Sequence, residues 1–199
     1  RRLSSATGKP PVSPSPMRAL ASLLPARLTS AFPTPSRRLV TQSLSAASLS
    51  ALNAHLTGLP RHLAITITAL SPSLARAQFT LAPIHAAANG HVHGGSIVSL
   101  ADTACGYGCV AHLPEGAVGF ATAELKANFV GTVVGDGRVV SCEARLVHKG
   151  RRTQVWDAVV EEIGGKQLAL FRCTQMLMYD GEGAKKDLRG LKELLRGKE

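Results

Sequence analysis

The stretch His93-Gly94-Gly95-Ser96-Ile97-Val98-Ser99-Leu100-Ala101-Asp102-Thr103-Ala104 pairs two adjacent glycines with a carboxylate set in apolar surroundings. Asp102 is the first acidic residue of the chain; residues 1–101 carry nine Lys and Arg and no Asp or Glu. A carboxylate among apolar neighbours is costly unless it has a partner or a task. The two glycines let a backbone approach a ligand closely. A helix starting there would offer unbonded N–H groups to an oxyanion. Residues 95–112 are apolar on most sides and predict a buried helix. Gly106 and Gly108 weaken that helix and permit close packing against it.

Working outward, Ala64-Ile65-Thr66-Ile67-Thr68-Ala69-Leu70 alternates as a half-buried strand does, Ser71-Pro72-Ser73 turns, and Ala75 to Leu81 returns. Pro83 ends that run. Beyond Pro114-Glu115-Gly116, Thr122, Glu124, Lys126 and Asn128 alternate with Ala123, Leu125, Ala127 and Phe129, the clearest period-two signal in the chain. Gly135-Asp136-Gly137 leads into Arg138–Val147, Lys149-Gly150 into Thr153–Glu162, and Gly164-Gly165 into Lys166–Met178. Turns between adjacent runs predict antiparallel hairpins throughout. The reading is α+β: two strands, one long helix, then four strands, with an antiparallel sheet wrapped around the helix.

The net charge of +10 is unevenly spread. Residues 1–60 carry seven basic and no acidic residues, +7, which leaves 16 basic against 13 acidic residues, +3, for 61–199. The excess therefore sits outside the expected domain. That domain shows neither a basic stripe with interleaved aromatics nor a nucleic-acid motif, so nucleic acid is not an expected partner. No apolar run approaches the roughly 18 residues that span a bilayer. The expected organisation is a basic Ser/Pro/Arg-rich leader or extension (1–60), a folded domain (61–179) and a charged tail (180–199), with a short surface helix over Asp187–Arg196. An Arg- and Ser-rich, acid-free leader has the composition of an organelle transit peptide, with mitochondrion placed ahead of plastid. The four cysteines, Cys105, Cys109, Cys142 and Cys173, lack C-x-x-C spacing and predict neither a zinc knuckle nor a disulfide framework. They fit a reducing compartment.

Gly90-His91-Val92-His93-Gly94-Gly95 followed by Leu100-Ala101-Asp102-Thr103-Ala104 resembles the signature of the hotdog-fold acyl-CoA thioesterases, in the 4-hydroxybenzoyl-CoA and phenylacetate-pathway branch. Leu125-Lys126-Ala127-Asn128-Phe129-Val130 with Gly135-Asp136, and Val147-His148-Lys149-Gly150-Arg151-Arg152-Thr153, resemble the family's next two blocks, in order, so the likeness runs from about 62 to 178. The resemblance implies a hotdog fold and hydrolysis of an acyl-CoA to a carboxylic acid and free coenzyme A, without metal or redox cofactor. It implies that the Gly94 N–H polarises the thioester carbonyl and that Asp102 acts as nucleophile or as general base. It also implies that Thr122 positions water or substrate. His93 is implied to brace the loop beside Gly95, at the substrate. Relatives carry an Asn or Gln six residues before the histidine, where this chain has Ala87; Asn89, four before it, is the substitute if the loop is rearranged. That leaves open an impaired enzyme, one that uses Asn89, or a hotdog domain kept as an accessory subunit of a larger organellar assembly, reached through residues 1–60.

Gly94 and Asp102 are eight residues apart, which is about 12 Å along one helix. They cannot both touch one carbonyl carbon, so a site made of the two needs Gly94 from one subunit and Asp102 from another, as a two-fold dimer provides. The family's homodimers and dimers of dimers agree. Lys149, Arg151 and Arg152 cluster at a hairpin turn, either merely solvated or contacting the phosphates of coenzyme A. His91 and His93 form an H-x-H pair, but no third ligand stands at a suggestive spacing, so no metal is expected.

Overall fold

The computed structural model describes residues 43–71 and 73–179. Most of the expected leader (1–42), Pro72 and the expected tail with its helix at 187–196 lie outside the described residues. Six strands run β1 (Thr66–Ser71), β2 (Leu74–Thr80), β3 (Ala117–Phe129), β4 (Val139–Lys149), β5 (Thr153–Glu162) and β6 (Gln167–Tyr179). Three helices, α1 (Ala46–Ala54), α2 (Gly58–His62) and α3 (Gly94–Ala111), complete the described fold with a 3-10 turn at Pro83–His85. Every strand pairing is antiparallel, in the order β1-β2-β4-β5-β6-β3.

α3 lies across one face of this sheet and touches all six strands. Its buried positions include Ile97, Leu100, Ala101, Ala104, Cys105, Cys109 and Val110, spread over most of its circumference, as the all-round apolar sequence requires. The two glycines mark the tightest contacts. A Cβ at Gly108 would stand 2.6 Å from the indole of the fully buried Trp156, and one at Gly106 would stand 3.0 Å from the Phe120 ring. No helix among the described residues is long and apolar enough to cross a membrane.

Three expectations from the sequence are corrected. The first strand begins at Thr66 rather than Ala64, because Ala64 takes a left-handed backbone (φ 47°) in the turn that precedes it. The folded unit reaches back past residue 61. Ser45 caps α1 by accepting the Ser48 N–H at 3.1 Å, Leu52 is wholly buried, and the Asn53 side chain bonds both the N–H and the carbonyl of Ile67, at 2.7 and 2.9 Å. That amide imitates a strand partner and pins α1 to β1. Finally, β3 and β4 do not form a hairpin. β3 pairs with β6 at the far edge, and residues 130–138 cross to β4, bridging Val134 to His91 and bonding the Val92 N–H to the Val133 carbonyl at 2.9 Å. The crossing thus holds the segment just before Gly94 in place.

Candidate active site

Helix α3 starts where the glycines predict. His93 is its N-cap and accepts the Gly95 N–H on Nδ1 at 2.8 Å. The Ser96 and Ile97 N–H groups both turn back to the His93 carbonyl, at 2.9 and 3.3 Å. Of the four donors left over at a helix start, here the N–H groups of residues 93–96, that of His93 reaches the His85 carbonyl at 2.8 Å and those of Gly95 and Ser96 are used within the turn. The Gly94 N–H alone has no acceptor among the described residues. Gly95, expected at the substrate, has its N–H consumed by the cap. The Phe129 ring packs over Gly94, so close that a Cβ there would lie 3.0 Å from Cζ.

Two turns further along α3, half-buried Asp102 meets Thr122 of β3: the Thr122 hydroxyl stands 2.9 Å from Asp102 Oδ1. The alternation in β3 placed Thr122 on one face with Glu124, Lys126 and Asn128. The structure separates them. A register shift between Thr122 and Glu124 inserts Ala123 as a bulge, so Thr122 lies opposite inward-facing Gln175 while Glu124 lies opposite Thr174. A bulge re-aims a side chain in this way, and here it turns the hydroxyl toward the helix. A cavity of about 280 Å³ opens at Asp102, walled by Thr103, Gly106, Tyr107, Val110, Phe120 and Pro60 of α2. Burial raises the Tyr107 hydroxyl above its ordinary pKa.

The other expected site residues are not among those that wall the cavity at Asp102. Asn89 sits exposed in the turn that closes from the Gly90 N–H to the Ala87 carbonyl, and its Oδ1 accepts the His91 N–H at 3.2 Å. It serves its own turn rather than reaching into the cavity. His91 Nδ1 bonds with Thr132 Oγ1 at 3.2 Å, and among the described residues no three His, Cys, Asp or Glu side chains gather in a way that could hold a metal ion. Lys149, Arg151 and Arg152 are exposed around the β4–β5 turn. Its backbone is pinned to β6, since the Arg151 carbonyl accepts the Tyr179 hydroxyl and the Arg152 carbonyl accepts the Leu177 N–H. The Arg152 guanidinium lies 5.4 Å from the Tyr179 ring centre, a cation–π contact. The sequence reading missed Gln175, fully buried beside Thr122; the available signal was a polar residue at an inward position between Cys173 and Leu177.

Residues 89–169 match the Thioesterase superfamily. Over 85 residues, 43% of this chain and 67% of the relative, the sequence is 31% identical to the 1,4-dihydroxy-2-naphthoyl-CoA hydrolase of Listeria monocytogenes. A thioesterase of Haemophilus influenzae superposes with a TM-score of 0.61 at 25% identity, covering 68% of this chain and 94% of that one. The Escherichia coli PaaI protein from the phenylacetic acid degradation operon superposes with a TM-score of 0.58 at 22% identity, covering 66% and 92%. A six-stranded antiparallel sheet packed on one long helix, with these likenesses, defines a thioester hydrolase of hotdog fold. The chain belongs to the thioesterase superfamily.

Proposed function

We propose that the protein hydrolyses an acyl-CoA thioester, with Gly94 and Asp102 as the working pair. The observation that carries this is the unbonded Gly94 N–H, left open at a helix start whose other donors are all taken. Thioester hydrolysis builds negative charge on the carbonyl oxygen, and an oriented N–H with the helix dipole behind it stabilises that charge. Asp102, steadied by Thr122, takes a proton from water as its oxygen bonds to the carbonyl carbon, or bonds to that carbon itself. The carbon–sulfur bond then breaks: in the water route the sulfur takes up the proton that Asp102 removed, so coenzyme A leaves as the thiol and the acid remains, whereas in the direct route coenzyme A leaves as the thiolate and a water molecule then splits the acyl–Asp102 anhydride to the acid and the free carboxylate. The cavity at Asp102 has the volume to receive an acyl group at the small end of ligand pockets. Exposed Lys149, Arg151 and Arg152 suit the phosphates of coenzyme A.

The reading requires a dimer, because Gly94 and Asp102 lie on one helix and the site pairs them across two. β3 supports this: it is an edge strand of 13 residues, exposed over Ala123–Lys126, and edges of that length are ordinarily covered or paired. Asp102→Asn should lower kcat by at least about 100-fold on any acyl-CoA that the wild type cleaves. Gly94→Pro should do likewise: proline suits the first helical position yet removes the N–H, and its ring is admitted once the exposed Phe129 ring shifts by a few tenths of an ångström. Mixing the two inactive variants should restore about one quarter of the activity, from one intact site in each mixed dimer. Full activity in Asp102→Asn would refute the assignment. A panel of aryl, short, medium and long acyl-CoAs identifies the substrate.

A second reading is an accessory subunit without turnover. It is favoured by Ala87 at the amide position and by Asn89 Oδ1 being committed to its own turn. No hydrolysis across the panel, with migration in a large complex, would establish it. For residues 1–60 we propose a mitochondrial targeting role, tested by whether they carry a fused reporter into the organelle.

A further inference from the structure

We infer that Gln175 is a positioning residue for the hydrolytic site, fixing the Thr122 hydroxyl so that its single hydrogen is committed to Asp102. The inference rests on the proposed role of Asp102. Gln175 is wholly buried on the inward face of β6, directly opposite Thr122 of β3. An amide buried so completely must be hydrogen-bonded. Its Oε1 stands 3.0 Å from Thr122 Oγ1, and its Nε2 stands 3.3 Å from Cys173 Sγ.

Thr122 Oγ1 is also 2.9 Å from Asp102 Oδ1. A hydroxyl has one hydrogen and two lone pairs, whereas a carboxylate only accepts. The hydroxyl therefore cannot donate to both oxygens. The carboxylate is the stronger acceptor, because bonds to ionised groups are about twice as strong as neutral ones. A half-turn of the Gln175 amide gives Thr122, Cys173 and Asp102 each a partner of the right kind. Its NH2 then donates to Thr122 Oγ1, its carbonyl accepts the Cys173 thiol hydrogen, and Thr122 donates to Asp102. A half-turn of this kind interchanges two atoms of nearly equal size. In that arrangement Asp102 Oδ1 is held by Thr122, which leaves Oδ2 for the proton or carbon it is to engage. Gln175 touches no substrate; it acts through Thr122.

The test is a double-mutant cycle on the full-length protein, read as kcat, KM and pH profile. Gln175→Met keeps the size and removes the donor. It should lower kcat about tenfold with KM changed less than twofold. In a Thr122→Val background the same change should cost less than twofold, because its route to Asp102 is already cut. Equal losses in both backgrounds, or no loss in either, would overturn the inference. If Gln175→Met does not fold, Gln175→Glu decides: protonated, it donates as the amide does, so activity should persist at low pH and fall as it ionises. A pH profile for Gln175→Glu that parallels the wild type would count against the inference. Should Asp102→Asn stay active, it is the site assignment that fails; should Asp102→Asn be dead and Gln175→Met be wild-type, this inference fails alone.

Discussion

At the residue scale the site is a set of small decisions about single hydrogens and single methyl groups. His93 consumes the Gly95 donor and thereby leaves Gly94's open; the sequence showed the two glycines but not which of them the cap would occupy. Asp102 was legible because it stood alone in an apolar run. Thr122 was legible by resemblance only, since strict alternation sends it to the wrong face and the bulge at Ala123 has no glycine or proline to announce it. Gly108 carries the sharpest packing consequence. Alanine there would gain about 1 kcal/mol of helix propensity. Its Cβ, however, would stand 2.6 Å from a fully buried indole that has no room to retreat, and overpacking costs about 1–3 kcal/mol. Overpacking should win, so Gly108→Ala should lower Tm by several degrees. Surface Gly135→Ala is no control for it, because φ there is +89° and the strain would confound the comparison. A melt of Gly108→Ala at or above the wild-type Tm would show that the helix-to-sheet contact is looser than described.

Elements were legible where their signals are local. The long helix, the β1–β2 turn and the hairpins at Lys149-Gly150 and Gly164-Gly165 all follow from periodicity and turn chemistry. The β3–β4 hairpin failed because Gly135-Asp136-Gly137 does make a turn, with both glycines at positive φ, yet that turn belongs to a crossover. Partner choice between strands is set by the whole sheet, and no local pattern encodes it. α1 failed for a related reason: its composition matches the leader before it, and what shows that it is folded is tertiary, with Asn53 meeting β1 and Leu52 and Leu49 meeting the core. The consequence for β3 is an open edge beside the site. Leu125 is 42% exposed on the helix-facing side of that edge, and Phe129 is 53% exposed beside Gly94. If β3 is the dimer seam, Leu125→Arg sets two like charges near the two-fold axis and should convert the dimer to monomer with loss of activity. Light scattering and an activity assay on one preparation check both halves. A fully active Leu125→Arg monomer would dismiss the shared site and the seam together.

At the largest scale, the described residues share one core under α3, and that core encloses all four cysteines as free thiols. Burial pushes the Cys109 and Cys142 thiols well above their ordinary range, and burial together with the hydrogen bond to Cys173 does the same to Cys105. Below the ordinary thiol pKa of about 8.5 both folded and unfolded chains hold these protons, and no stability is lost. As pH rises above it, the unfolded chain ionises while the folded chain does not, so the unfolded state gains. Each buried thiol then removes up to about 1.4 kcal/mol of stability per pH unit until the folded pKa is reached. The protein should accordingly show a Tm nearly independent of thiol ionisation up to pH 8 and a steepening fall from pH 8.5 to 10, measured under reductant. Cys142→Ala should start from a lower Tm, having lost a packed sulfur, but fall less steeply across that range. The slope separates ionisation from packing: a cavity lowers Tm equally at every pH, whereas removing a buried titrating thiol flattens the curve. A slope unchanged in Cys142→Ala would mean that its thiol is ionisable in the native protein, and so that the sheet around β4 opens to solvent.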